Sequence, residues 1–219
     1  MSVAFADYDG DGFTDIFVTN DNLPNSLFHN RGDGTFEEVG LTAGVALPEH
    51  GRAIASMGAD FRDYDNDGLP DIAVTALTGD TFPLFRNNGH GTFEDVTYSS
   101  QIGPQTIRWS GWGNGLFDFD NDTYKDLFTA NAHVNDRTDS FEATPYKQAN
   151  RVFRNLGNGK FQDASGEAGP GFDVARAHRG SAFVDFNGDG KIDVVVSSLG
   201  EPAELWENVG TSSNHWLIL

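Results

Sequence analysis

The chain has no cysteine, only two methionines, and just 14 lysines and arginines against 33 aspartates and glutamates. Without cysteine there are no disulfide staples and no thiol chemistry. No apolar run reaches eighteen residues, so no helix in this sequence spans a membrane. The formal net charge of −19 leaves no basic patch for a phosphate backbone, and nucleic acid is not an expected partner. Catalytic signatures are absent too. The sequence holds no Gly-x-Ser-x-Gly elbow and no glycine-rich phosphate loop ahead of Lys-Ser/Thr. His29, His50, His90, His133, His178 and His215 show no zinc spacing, and no acidic pair stands out for glycoside cleavage. An enzyme is not expected. What remains is a 219-residue chain with 38% hydrophobic and 12% aromatic residues, enough for a substantial core.

The acidity is concentrated. Four nine-residue loops begin at Asp7, Asp63, Asp118 and Asp185 and hold 15 of the 33 acidic residues. Their side-chain oxygens recur at positions 1, 3, 5 and 9. The first loop has Asp7, Asp9, Asp11 and Asp15, and the second Asp63, Asp65, Asp67 and Asp71. The third has Asp118, Asp120, Asp122 and Asp126, and the fourth Asp185, Asn187, Asp189 and Asp193. Position 7 (Phe13, Leu69, Tyr124, Lys191) offers a main-chain carbonyl, which makes an all-oxygen donor set suited to a hard cation such as calcium. Up to four calcium ions are expected, and four would bring −19 to about −11. Isolated clusters of Asp, Asn and Gly are ordinary turn formers; four copies in register favour cation loops. The helix–loop–helix calcium hand ends in Glu at position 12, but Val18, Val74, Thr129 and Val196 stand there. Thr123 takes the place of glycine at position 6 and Asn187 removes one charge, so loops three and four are the expected weaker pair.

The loops punctuate a repeat. Each is followed by a short apolar segment: Ile16–Val18, Ile72–Val74, Leu127–Thr129 and Val194–Val196. A second motif ends in Asn30, Asn87, Asn155 and Asn208. In the first three copies a Gly-x-Gly turn then leads to Phe36, Phe93 and Phe161. The pattern reads as one strand before the loop, one after it, and a further hairpin. Segments apolar on both faces need cover on both sides, as in stacked propeller blades. The expected fold is therefore all-β, a β-propeller of four-stranded antiparallel blades. A single array fills residues 1–219, with blades at about 1–45, 46–100, 101–168 and 169–219. Four blades either close a ring or form part of a larger propeller.

These residues resemble the integrin-like FG-GAP and VCBS repeat propellers, in particular the cartilage acidic protein and ASPIC/UnbV group. The resemblance rests on the acidic loops, on Leu84-Phe-Arg-Asn87 with the glycine turn after it, on Ser110-Gly-Trp-Gly113 and on Asn214-His-Trp-Leu217. It implies calcium in the loops, an extracellular or surface location, more blades than four, and a C-terminal ASPIC/UnbV-like segment beyond Asn214. Met1 runs almost directly into the first strand with no signal peptide, so the chain reads as a fragment.

Two features suggest a binding surface. An insertion in the third repeat lies between Asn131 and Asn150 and includes His133, Asp136, Arg137, Asp139, Phe141, Pro145 and Tyr146. Its plainer reading is a decorative loop or a lid over the neighbouring blade. Arg52, Arg108 and Arg179, with Trp109 and Trp112, either face a central channel or pack between blades. The expected function is a non-enzymatic, calcium-stabilised module for protein or matrix interaction. The alternatives are a glycan-binding, lectin-like propeller or an accessory domain of a larger polysaccharide-acting enzyme.

Overall fold

A computed structural model describes residues 1–140, 144–212 and 214. Phe141 and the 215–217 stretch lie outside the described residues. The fold is all-β, with four antiparallel sheets in chain order. The first contains β1 (Val3–Ala6), β2 (Asp15–Val18), β3 (Ser26–Asn30) and β4 (Phe36–Glu38). The second contains β5 (Ser56–Arg62), β6 (Asp71–Ala76), β7 (Leu84–Asn87) and β8 (Phe93–Asp95). The third contains β9 (Gly111–Phe117), β10 (Asp126–Asn131), β11 (Arg151–Asn155) and β12 (Phe161–Asp163). The fourth contains β13 (His178–Val184), β14 (Asp193–Ser198) and β15 (Glu201–Trp206). Every sheet is a simple meander with strands in sequence order, which is the build of a propeller blade. The fourth sheet has three strands among the described residues, not four. Its Asn208 is followed by Val-Gly-Thr-Ser, without the Gly-x-Gly turn of the other three copies.

Each acidic loop is the tip of the first hairpin of its sheet. The second hairpin closes through a bond from Arg31 N–H to the Thr35 carbonyl at 3.1 Å, and its counterparts Asn88 to Thr92 and Leu156 to Lys160 are both 2.9 Å. Two short helical turns, α1 (Gly40–Ala43) and α2 (Ile102–Thr106), carry the chain from one sheet to the next. The first stops at Gly44, whose φ of 86° is open to glycine and whose amide returns to the Gly40 and Leu41 carbonyls.

The core lies between the sheets. Ala4, Phe17 and Leu27 of the first sheet meet Phe61, Ile72 and Phe85 of the second. Ala73 and Leu84 of the second meet Leu116, Leu127 and Phe153 of the third. Phe128 of the third meets Phe183, Val194 and Trp206 of the fourth. Each fully buried Val, Leu, Ile or Phe side chain among these contributes about 1.5–3 kcal/mol. Period-2 alternation explains the pattern: the residue one step after each position-9 aspartate faces the preceding sheet, and the residue two steps after faces the following one. The middle strands β6 and β10, covered on both sides, are buried along their whole length. Among the described residues no core cluster joins the fourth sheet to the first, so the four blades form an arc.

Inner strands approach closely because glycine lines them. A Cβ on Gly58 would lie 1.9 Å from the Trp112 carbonyl oxygen, and one on Gly113 would lie 2.4 Å from Ser181 N. No side chain fits at either place.

Candidate functional site

The four acidic loops fold alike because their carboxylates bind the loop's own amides. At position 1, Asp7 Oδ1 accepts from Gly10 N–H (2.9 Å) and Asp11 N–H (3.1 Å), and Oδ2 from Gly12 N–H (2.9 Å). Asp185 repeats this with Gly188, Asp189 and Gly190 at 2.7, 3.1 and 2.8 Å. Asp63 and Asp118 each hold two of these amides. At position 3, Asp9, Asp65, Asp120 and Asn187 each take one amide two residues on, at 3.0–3.3 Å. At position 5, Asp11, Asp67, Asp122 and Asp189 do the same at 2.8–3.0 Å. These nested Asx turns leave one oxygen of each position-5 carboxylate outside the loop's own amide bonding.

Position 9 is different. Asp15, Asp71, Asp126 and Asp193 are buried, and each takes an amide on both oxygens. One comes from loop position 2: Tyr8, Tyr64, Phe119 and Phe186, at 3.1, 2.9, 3.4 and 3.1 Å. The other comes from the asparagine ending the third strand: Asn30, Asn87, Asn155 and Asn208, at 2.8, 2.8, 2.8 and 2.7 Å. This aspartate clamps the loop to the third strand. Burial pushes the Asp71 and Asp126 carboxyls up to about 7, against the pull of those amides, and also raises Asp15.

The loops also bring acidic side chains together. Ligand atoms of Asp7, Asp9 and Asp11 lie within 4.8 Å of one another, as do those of Asp63, Asp65 and Asp71, and of Asp118, Asp120 and Asp122. Asp9, Asp15 and His29 form a further group of the same size. Among the described residues the fourth loop assembles no group of three, because Asn187 replaces a carboxylate. At position 6, Thr123 holds φ at 82°, beside 91° for Gly12 and Gly68 and 81° for Gly190. The third loop thus keeps the glycine geometry and accepts strain.

Several working residues have no role in the expectations above. The asparagine of the second motif joins one blade to the next. Asn87 Nδ2 donates to the Tyr8 carbonyl (2.8 Å), Asn155 Nδ2 to that of Tyr64 (2.9 Å), and Asn208 Nδ2 to that of Phe119 (2.7 Å). Position-7 side chains cover the turn of the second hairpin. A Cβ on Gly32 would collide with the Phe13 ring and one on Gly157 with the Tyr124 ring, while Leu69 lies over Gly89. In the fourth copy, which has no such turn, Lys191 turns back instead, with Nζ 3.4 Å from Asp189 Oδ2. In the first and third copies the residue before the asparagine reaches position 3, with His29 Nδ1 3.2 Å from Asp9 Oδ2 and Arg154 Nη2 2.9 Å from Asp120 Oδ2, whereas Arg86 of the second pairs with Glu94 at 2.7 Å. Asn187 Nδ2 donates to Glu207 at 3.1 Å. The recurrence of Asn, and the change from Phe, Leu and Tyr to Lys at position 7, are the signals that mark these roles.

The other candidates sort as follows. Arg179 lies over the Trp112 ring at 4.3 Å, and both border a central groove of about 340 Å³ with Met57, Gly58, Gly113 and Ser181. Arg151, not Arg108, stacks on Trp109, at 3.9 Å. Arg52 pairs with Asp80 at 2.9 Å, and neither Arg52 nor Arg108 lines that groove. The insertion reaches across to the fourth blade: Gln148 pairs with Arg176 as an isolated bridge, and Lys147 Nζ pairs with Glu201. His133 is buried, with Nδ1 accepting the Asn135 amide at 3.1 Å.

Stacked meanders with an acidic loop at the first hairpin of each define a repeat protein of the propeller class. Residues 7–74, 63–129 and 134–196 each match the FG-GAP-like repeat, and the chain belongs to that family. It is 32% identical over 212 residues to Cartilage acidic protein 1 of Homo sapiens, covering 93% of this chain and 29% of that protein. The Mus musculus protein of the same name is also 32% identical over 212 residues, with 93% and 30% covered. The chain thus spans less than a third of the length of these relatives. Among solved structures it is similar, at 20% identity and a TM-score of 0.48, to one described as the basis of specific recognition of non-reducing terminal N-acetylglucosamine by an Agrocybe aegerita lectin. That match covers 94% of this chain and 51% of the other. No helix among the described residues is long and apolar enough to cross a membrane.

Proposed function

We propose that the acidic loops bind calcium and that the array is a non-enzymatic module, held rigid by those ions, which presents its surface to a protein or matrix partner outside the cell. The observation that carries the reading is the meeting of three carboxylate groups within 4.8 Å in each of the first three loops. Such crowding is unfavourable in water unless a cation neutralises it, and the donors are all hard oxygens. Asp7, Asp9, Asp11 and Asp15, with the Phe13 carbonyl, would hold the first ion, and the residues at the same positions the others. When bound, calcium supplies local charge neutralisation and a crosslink between loop and strand; the chain's own residues do the presenting. Exposed, hydrated loops suit the weak affinities that work at extracellular, millimolar calcium. The relatives named for cartilage agree with such a setting.

The test is a calorimetric and thermal titration of cation-stripped protein, with magnesium as the control. Two to four calcium sites and a rise in Tm are expected, since a ligand at a hundred times its Kd stabilises by about 2.7 kcal/mol. Asp11→Asn keeps an oxygen for the Phe13 amide but removes the charge, so it should abolish one site while leaving the fold intact. No heat of binding and an unchanged melt would reduce the loops to turns held by their own backbone bonds.

A further inference from the structure

The second and third loops differ in what has already claimed the carboxylate at position 3. Each spends one oxygen on its own turn: Asp65 Oδ1 accepts the Asp67 amide at 3.3 Å, and Asp120 Oδ1 the Asp122 amide at 3.2 Å. The second oxygen separates them. Asp120 Oδ2 accepts from both Nε–H and Nη2–H of Arg154, at 3.1 and 2.9 Å. The third loop therefore already carries a positive charge on a carboxylate that a cation would use. Asp65 Oδ2 has no partner among the described residues, although Arg86 stands at the same repeat position as Arg154.

The cause lies one strand further out. In register, Arg86 of β7 stands opposite Glu94 of β8, and Arg154 of β11 stands opposite Gln162 of β12. Opposite charges directly across a ladder attract, and Glu94 holds the Arg86 guanidinium at 2.7 Å on the outer strand. Gln162 has no charge with which to hold Arg154, and that guanidinium goes to the loop carboxylate instead. Among the described residues the Glu94 carboxylate bonds to Arg86 alone.

We infer that the outer strand of each blade sets the order in which these two loops fill with calcium. Glu94 keeps Arg86 off Asp65 and makes the second loop the tighter site, while Gln162 leaves Arg154 to cap the third. The inference rests on the calcium reading of the loops and adds to it a positioning residue that is no ligand. An ion reaching Asp120 must displace a guanidinium or sit beside it, a cost that Asp65 does not impose. An exposed ion pair contributes up to about 1 kcal/mol, which is about fivefold in Kd.

Titration of the cation-stripped chain with calcium, followed by nuclear magnetic resonance, reads the two loops separately through the position-7 amides of Leu69 and Tyr124. Leu69 should reach its midpoint at lower calcium than Tyr124. The strain at Thr123 also separates these loops, so reciprocal substitutions on the outer strand carry the test. Glu94→Gln should raise the Leu69 midpoint about fivefold, and Gln162→Glu should lower the Tyr124 midpoint by about the same factor. Both positions are exposed, so circular dichroism should stay unchanged. In an Arg86→Gln background Glu94→Gln should move the Leu69 midpoint by less than about twofold, because no guanidinium is left to release. Equal shifts in the two backgrounds would overturn the inference, reducing it to a general loss of negative charge. So would midpoints that follow calcium but ignore both substitutions. Amides that respond to calcium in neither loop would sink the calcium reading itself, and the ordering of the loops with it.

Discussion

Removing one asparagine should separate the bonds that hold a loop from the bond that holds two blades. Asn155 is buried; its Nδ2 donates to the Tyr64 carbonyl across the interface at 2.9 Å and to the Lys125 carbonyl at 3.2 Å. Its Oδ1 accepts the Gly157 amide at 3.1 Å. Asn30 makes the equivalent local bonds, to Thr14 and Gly32, at a partly exposed site with no interface partner. Asn155→Ala leaves the buried Tyr64 carbonyl unsatisfied, at about 1–3 kcal/mol, and removes two weaker bonds of about 1 kcal/mol or less each. The total is about 2–4 kcal/mol. Asn30→Ala forfeits only the local bonds and should cost about 1 kcal/mol. For a chain of this size 1 kcal/mol moves Tm by about 2–4 °C, so the expected drops are about 10 °C and about 3 °C. Thermal melts of both variants in saturating calcium, followed by circular dichroism, make the comparison. Equal losses would refute the idea that the asparagine ties neighbouring blades.

Thr123→Gly should stabilise. Relief of about 1–2 kcal/mol of left-handed strain outweighs the roughly 0.5–1 kcal/mol that glycine's extra freedom costs, so Tm should rise by about 2 °C; a fall would mean the Thr123 side chain makes a contact worth more than the strain. The cation-free protein should lose stability as pH rises from about 4 to about 7. In that window the Asp71 and Asp126 carboxyls, pushed up to about 7 by burial, stay protonated in the fold while the unfolded chain has released its protons. Their contribution is therefore complete below the unfolded value and lost through the folded one. Melts at pH 5 and pH 8 check this, and calcium should remove the difference. A cation-free melt that is flat with pH, or that rises, would show that these carboxylates are ionised in the fold.

The strand order was legible because each strand end carries its own chemistry. Asp-rich hairpins, Gly-x-Gly turns and β-branched segments mark the strand boundaries of the first three blades, whereas a fourth strand was expected in the last blade and three are present among its described residues. The helical turns α1 and α2 were not legible, since four or five residues give no period. Nor was the partner of each asparagine: Asn30, Asn87, Asn155 and Asn208 look alike in sequence, and only stacking shows that three of them reach the preceding blade. The arginines were ambiguous for a related reason. Arg52, Arg108 and Arg179 read alike as channel-facing or packing residues, and only the fold sets Arg179 over Trp112 and gives the Trp109 ring to Arg151 of β11.

The position-9 aspartate changes how the acidic motif should be read. With both oxygens on backbone amides, it is required by the hairpin whether or not an ion is present. Position 1 is likewise occupied by the loop's own amides. Positions 3 and 5 need only one acceptor oxygen for their turns, and asparagine supplies it, as Asn187 does. A second carboxylate at these places adds repulsion and nothing to the turn, so the charge there is what a cation explains. The fourth loop is the internal contrast, having Asn187 at position 3 and Lys191 paired with Asp189 at position 5. It can fold with the least help from an ion. In the calcium titration Asp189→Asn should therefore leave the measured stoichiometry nearly unchanged where Asp11→Asn removes a site. Equal losses from both would mean that the fourth loop binds as the others do and that charge at position 3 is not what selects the cation.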